Sequence, residues 1–237
     1  MQRYFAKEYK DKIILNDSDI HHIRNVMRMN IGDIIEVVND SKLYLCKIES
    51  LNPFSLIIQD TILEGNKLNL DITVAVALVK EQKMDLILQK LTELGINRII
   101  PVDMERSIVR LDKERFIKKK TRWENICKEA SEQSKRTTVP VIEDIMTVKE
   151  LAREEADMKI IASTKEKNKM LNYYLQSIKN CAKIIVVVGP EGGISDKEEA
   201  FLNTNGFDSV SFGKLIFRVE TASIYIASIL NYYSSTR

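Results

Sequence analysis

The chain predicts two domains: a small β-rich one over residues 1–69, then an α/β domain with a mainly parallel sheet over 70–237. Three observations carry that expectation. Short apolar runs separated by turn residues fill the first seventy positions, a spacing that suits a barrel. From Asp71 onward, strand-like runs alternate with helix-length stretches, the grammar of an α/β domain. Ile184, Ile185, Val186, Val187 and Val188 form one unbroken β-branched run, as in a parallel strand buried on both faces.

In the first domain, Asp19–Met29 reads as a short helix and Gly32-Asp33 opens a strand over Ile34–Val38. Asn39-Asp40-Ser41 turns the chain into Leu43–Ile48, and Pro53 marks a turn before Phe54–Leu63. Arg3, Lys7, Lys10, Lys12, Arg24 and Arg28 make this domain basic, which suits RNA and a solvated surface equally. Glu64–Lys67 reads as the linker.

In the second domain, Ile72–Val79 reads as a buried strand and Gln82–Leu94 as a helix. Met84, Ile87, Leu88, Leu91 and Leu94 sit at helical spacing, with Gly95 at the C-terminal cap. Ile99, Ile100 and Val102 resume a strand. The stretch Arg106–Arg136 holds eleven Lys/Arg against five Asp/Glu. Within it Phe116, Ile117, Trp123, Ile126, Cys127 and Ala130 form the apolar side of a long helix, which Thr137–Pro140 breaks. A phosphate backbone and solvent both suit the charges. Thr147–Arg153 opens with the capping box Thr147/Glu150, followed by a strand at Lys159–Ser163 and a helix at Leu171–Ile178. Beyond the β-branched run, Gly206 turns into a strand at Val210–Phe212. The last helix runs to about Tyr233, packing through Ala222, Ile226, Ile229, Leu230 and Tyr233.

Net charge is only +2, so a nucleic-acid surface would have to come from local clustering. No apolar run reaches the length of a membrane span, and MQRYFAKEYK lacks a signal-peptide core. Cys46, Cys127 and Cys181 are scattered without metal spacing, so a reduced, cytoplasmic protein without disulfides is expected. His21 and His22 lack the partners of a zinc site or a triad and read as ordinary helix or surface residues; no metal site is expected.

The candidate site is the loop Gly189-Pro190-Glu191-Gly192-Gly193 after the β-branched run. Its small side chains let a ligand approach the main chain, and Ser195 and Glu198 form a capping box that starts a helix behind it. Strand, glycine loop and helix N-terminus form a cradle at the carboxyl end of a strand, where open α/β folds bind small molecules. It has neither the GK[ST] ending of a P-loop nor the G-x-G-x-x-G spacing. Glu191 would repel phosphate, which favours a nucleoside-like or cationic ligand over NAD or ATP.

Downstream lie Gly213 and Arg218-x-Glu220-Thr221-Ala222. Together with the GPEGG loop they resemble the SPOUT-superfamily ribosomal RNA uridine-N3 methyltransferases, the RsmE family. The likeness continues through Arg3-Tyr4-Phe5, His22–Gly32 with Arg28, Thr92–Gly95, Glu105-Arg106-Ser107 and Glu129–Ser134, nearly the whole chain. It implies an N-terminal PUA-like β-barrel for RNA and a C-terminal SPOUT α/β domain with a deep trefoil knot. It also implies a homodimer, S-adenosylmethionine as cofactor, and 16S ribosomal RNA or the small ribosomal subunit as partner.

By that resemblance Val188, Gly189, Pro190, Glu191, Gly192 and Gly193 line the cofactor pocket. Leu215, Ile216, Phe217 and Arg218 border it, with main-chain contacts to adenine from 215–217, and Thr221 and Ala222 close it. Arg218 and Glu220 are the expected catalytic residues. Arg218 would stabilise charge on the uracil oxygens as N3 loses its proton; Glu220 would orient Arg218 or take that proton. A positive sulfur already activates the leaving group, so the reaction needs no metal. Arg3, Arg24, Arg28, Arg106, Arg122, Lys135 and Arg136 are the expected RNA-binding residues. In one departure, Leu215 stands where the family commonly has arginine, which removes a second cation beside Arg218 but leaves the main-chain contacts. A non-catalytic RNA-binding or ribosome-assembly factor is the competing reading; the intact GPEGG and RxETA segments argue against it.

Overall fold

The computed structural model describes residues 1–9, 12–62 and 70–235. Lys10, the linker Glu64–Lys67 and the end of the Phe54–Leu63 strand at Leu63 lie outside these residues. The chain divides into two compact units, one of residues 1–67 with 128–139, the other of 68–127 with 140–237.

In the first unit, β1 (Arg3–Phe5), β4 (Ile34–Asn39), β5 (Lys42–Leu51) and β6 (Phe54–Ile62) form a four-stranded sheet in that order, while β2 (Glu8–Tyr9) pairs with β3 (Ile13–Ile14). Alternation sets the faces: Ile35 and Val37 of β4 and Tyr44, Cys46 and Ile48 of β5 point into one core with Tyr4, Ile23 and Leu56. Asp40 and Ser41 both take positive φ, 47° and 62°, which joins β4 to β5 by a two-residue turn matching the sheet's twist. The Asp19–Met29 helix is shorter and earlier than its sequence suggests. It runs as α1 over Asp17–His21 and loosens into a π turn over His22–Val26. His22 meets the Tyr4 hydroxyl through Nδ1 at 3.0 Å, and His21 meets the Asn25 amide at 2.8 Å.

The second unit is built on β7 (Asp71–Ala77), β8 (Arg98–Asp103), β9 (Val141–Ile142), β10 (Met146–Thr147), β11 (Met158–Ala162), β12 (Lys183–Val188) and β13 (Asp208–Val210). They make one parallel sheet in the order β10-β8-β7-β12-β11-β13, with β9 also on β8. Ile184–Val188 are at most 2% exposed, as the β-branched run predicts. Each such side chain contributes about 1.5–3 kcal/mol of burial. On one face lie α4 (Val148–Leu151) and α6 (Asp196–Thr204), whose Leu151 and Leu202 join Ile185, Val187 and Phe207 in one cluster. On the other, α7 (Val219–Ser235) packs against β7, β12 and α2 (Glu81–Glu93). Gly95 closes α2 at φ 86°: its N–H reaches the Thr92 carbonyl and the Ile96 N–H the Leu91 carbonyl, the paired bonds of a Schellman cap. Both capping boxes form, Thr147/Glu150 on α4 and Ser195/Glu198 on α6.

Four readings shift. The basic stretch is helical only from Lys113 to Gln133 (α3), and its apolar side omits Ile117, which is 57% exposed. The strand expected at Val210–Phe212 ends at Val210. On α7 the fully buried positions are Ser223, Ile226, Ala227 and Leu230, whereas Ile229 and Tyr233 are half-buried. α5 (Leu171–Leu175) gives way to a tighter turn over 177–180. Among the described residues, no helix is long and apolar enough to cross a membrane, and no His/Cys/Asp/Glu group could hold a metal. All three cysteines are free and buried.

The first unit carries a buried titratable cluster. Lys128 pairs with Asp19 at 2.5 Å and with Glu132 at 3.4 Å. Burial pushes the Glu132 carboxyl up from 4.5 to about 7, partly offset by Lys128, and the Tyr4 hydroxyl up to about 12. A carboxyl raised on folding contributes stability that is complete below its unfolded value and lost as pH rises through its folded one. Glu132→Gln is therefore expected to gain stability relative to wild type as pH rises from about 5 to about 8, on the order of 2 kcal/mol. Denaturant melts of both proteins across that range check it.

Candidate functional site

The site lies at the carboxyl end of β12, which enters the sheet between β7 and β11 where strand order reverses, the usual place for a ligand in an open α/β sheet. Val188 is buried at the strand's end and Pro190 is buried one residue beyond Gly189. The Gly193 N–H then bonds the Pro190 carbonyl at 2.8 Å, with Gly193 at φ 70°. Gly189 has no room for a side chain: a Cβ there would stand 2.5 Å from Ile194 Cγ1 and 3.2 Å from the Ile194 nitrogen. A Cβ on Gly192 would meet Arg106 Cβ at 3.3 Å. Bare main chain is thus a packing requirement at the base of the loop.

Several side chains hold the loop. Arg106, exposed, donates from Nη1 to the Gly192 carbonyl at 3.1 Å. Lys165 reaches the Ile194 carbonyl at 2.9 Å, Asp196 at 2.7 Å and Glu199 at 3.0 Å. Glu198 closes the capping box and also accepts from the Glu105 N–H at 2.7 Å. Lys83, in the first turn of α2, pairs with Glu191 Oε1 at 2.8 Å and lies 3.7 Å from Glu220 Oε2. That hydrogen bond holds the Glu191 carboxyl below the usual carboxylate range and raises the Lys83 ammonium, which also feels Arg218 as a repulsive charge.

The loop and the RxETA segment therefore meet around Lys83, with Glu191, Glu220 and Arg218 on its sides. Glu220 sits in the first turn of α7, where a carboxylate suits the helix dipole; its Oε2 is buried without a hydrogen-bond partner. Arg218 is exposed, and its carbonyl accepts from the Ala222 N–H at 2.8 Å. Thr221 is exposed and Ala222 buried. Leu215 and Ile216 stand 76% and 80% exposed, while the Phe217 ring packs on Tyr225 with centroids 5.0 Å apart. Sequence reading missed Lys83 and Lys165, because a lysine in a helix turn or a loop carries no local mark of its distant partners.

The expected RNA-binding residues divide. Arg28 is exposed at φ 51°, and Arg24 is half-buried over the Phe54 ring at 5.8 Å. Arg122 is exposed but pairs with Glu81 and, at 2.5 Å, with Asp85. Arg3 and Arg136 are only 5% and 7% exposed. Arg3 is turned inward to Glu36 at 2.9 Å and to the carbonyls of Lys135 and Arg136. Lys135 is half-buried and holds the same Glu36 at 2.9 Å.

Comparisons with known proteins agree with this geometry. A family model described as an RNA methyltransferase domain matches residues 66–231, and one described as an RNA methyltransferase PUA domain matches residues 15–60. The class is thus an RNA methyltransferase domain joined to a PUA domain, within a mixed α/β fold. More narrowly, the chain belongs to the ribosomal RNA small subunit methyltransferase E family. It is 33% identical to the Bacillus subtilis member over 98% of this chain and 96% of that one. It superposes with TM-score 0.87 on the Neisseria gonorrhoeae ribosomal RNA small subunit methyltransferase E bound to S-adenosyl methionine, 30% identical and covering 98% and 97% of the chains. A Legionella pneumophila methyltransferase solved with bound SAM gives 0.89 at 29% identity, covering 98% and 97%.

Gly189→Ala is expected to lower stability by about 1–3 kcal/mol through overpacking against Ile194 and to weaken ligand binding at the loop. Gly213→Ala, with nothing within 4 Å but φ 128°, should act through backbone strain alone. Thermal melts with and without S-adenosylmethionine distinguish the two.

Proposed function

We propose that this chain transfers a methyl group from S-adenosylmethionine to N3 of a specific uridine in 16S ribosomal RNA, acting in the cytoplasm. The observation that carries this reading is the bare-backbone loop after β12, gathered with Glu220 and Arg218 around Lys83. The names of the relatives and the SAM held by similar solved structures support it. The residues fit such a donor: glycines leave the main chain open, and two carboxylates face a ligand whose sulfur is positive. Val188–Gly193, Leu215–Arg218, Thr221 and Ala222 would hold it. When bound, the donor supplies a methyl group on an already activated sulfur.

The chain's own residues then act on the base. Arg218 neutralises charge on the uracil oxygens as N3 loses its proton. Glu220, whose Oε2 is buried and unbonded, orients Arg218 or accepts that proton. Holding both reactants in one pocket removes the entropy of bringing them together. Residues 1–69 serve as a PUA-like barrel that binds RNA and 70–237 as the SPOUT domain, its last segment threaded into a deep trefoil knot. A second copy covers part of the exposed apolar surface that includes Leu215, Ile216 and Tyr232, giving the homodimer. Arg24, Arg28, Arg106, Arg122 and Lys135 carry RNA affinity, since exposed ion pairs such as Arg122–Glu81 exchange for phosphate at little cost; Arg3 and Arg136 support them from inside.

Arg218→Ala is expected to lower methyl transfer to small ribosomal subunits about 10²–10³-fold, with calorimetry showing a far smaller change in S-adenosylmethionine affinity. Equal transfer rates would remove Arg218 from the mechanism. Arg28→Glu with Arg106→Glu should weaken subunit binding and lower the salt slope by about 2; binding titrations across a salt series read both.

A further inference from the structure

Lys83 joins the glycine loop to the start of α7. Its ammonium stands 2.8 Å from Glu191 Oε1 and 3.7 Å from Glu220 Oε2, drawing two carboxylates from separate elements toward one cation. Without it those carboxylates would repel across the pocket. Arg218 and Lys80 are the other charges felt here, Arg218 by Lys83 and Lys80 by Glu191. Glu220 Oε2, buried and without a hydrogen bond, leans on Lys83 through charge alone, which leaves that oxygen free to engage a substrate group. A lysine about one-third exposed is not needed to fill the core, so its value lies in its charge.

We propose that Lys83 is a positioning residue of the methyl-transfer site, tying Glu191 to Glu220 and setting how much negative charge the pocket presents to a positively charged methyl donor. This rests on the methyltransferase reading above. Lys83 thereby moderates the pocket's preference for the sulfonium donor over its thioether product, so that the donor is not held too tightly. It also keeps Glu220 fixed beside Arg218 while the base is engaged.

The test compares wild type, Lys83→Met, Lys83→Arg and Glu191→Gln in the full-length protein. Calorimetry with S-adenosylmethionine and S-adenosylhomocysteine gives a donor-to-product affinity ratio independent of turnover. Lys83→Met should raise that ratio several-fold and Glu191→Gln should lower it, whereas Lys83→Arg keeps the wild-type value. Lys83→Met should also lower kcat about tenfold, with the loss restored by arginine. A merely structural clamp would lower melting temperature in both Lys83→Met and Glu191→Gln without opposite changes in the ratio; that result overturns the proposal. An unchanged ratio in Lys83→Met overturns it equally. Wild-type protein that binds neither ligand refutes the methyltransferase reading instead, which separates the two failures.

Discussion

The burial of β12 on both faces is the constraint to which the rest of the second unit answers. A strand with Ile184–Val188 at most 2% exposed cannot shift register without carrying apolar side chains out of two cores at once. Its last residue therefore defines where the glycine loop begins. From there the packing of Gly189 against Ile194 leaves little choice of path, and the Ser195/Glu198 capping box fixes the start of α6. The glycine loop inherits its place from this strand and its charged surroundings from residues brought to it.

Charge in this protein is spent close to home. Of the basic residues in α3, Lys119, Lys120 and Arg122 pair with Glu81, Asp144 and Asp85. Arg3 and Lys135 share Glu36 within the first unit. This fits a chain whose net charge is only +2: affinity for a polyanion would arise from a few exposed positions and from pairs that can exchange partners. Buried pairs such as Arg3–Glu36 do not exchange, because separating them would strand a charge away from water.

Much of the fold was legible in the amino acids because its signals are local. β-branched runs announced β7, β8 and β12, the apolar spacing of Met84, Ile87, Leu88 and Leu91 announced α2, and Gly95 announced its end. Misreadings came where neighbours decide. Ile117 looked apolar enough to be buried, and Ile229 and Tyr233 looked like packing residues, but small Ser223 and Ala227 take the tightest places on α7. Arg3 and Arg136 read as surface cations because nothing near them in sequence reveals Glu36 or the carbonyls they meet.

The amino-acid order by itself determined the α/β class, the strand–glycine loop–helix cradle, and the pairing of GPEGG with RxETA that marks the family. Those properties depend on backbone preference and on contacts a few residues apart. Only the tertiary structure decided which side chains gather at that cradle: Lys83 beside Glu191 and Glu220, Arg106 on Gly192, Lys165 on Ile194. Electrostatic partners 29 to 137 positions apart are set by how strands order themselves in a sheet, and that order leaves no trace in local spacing.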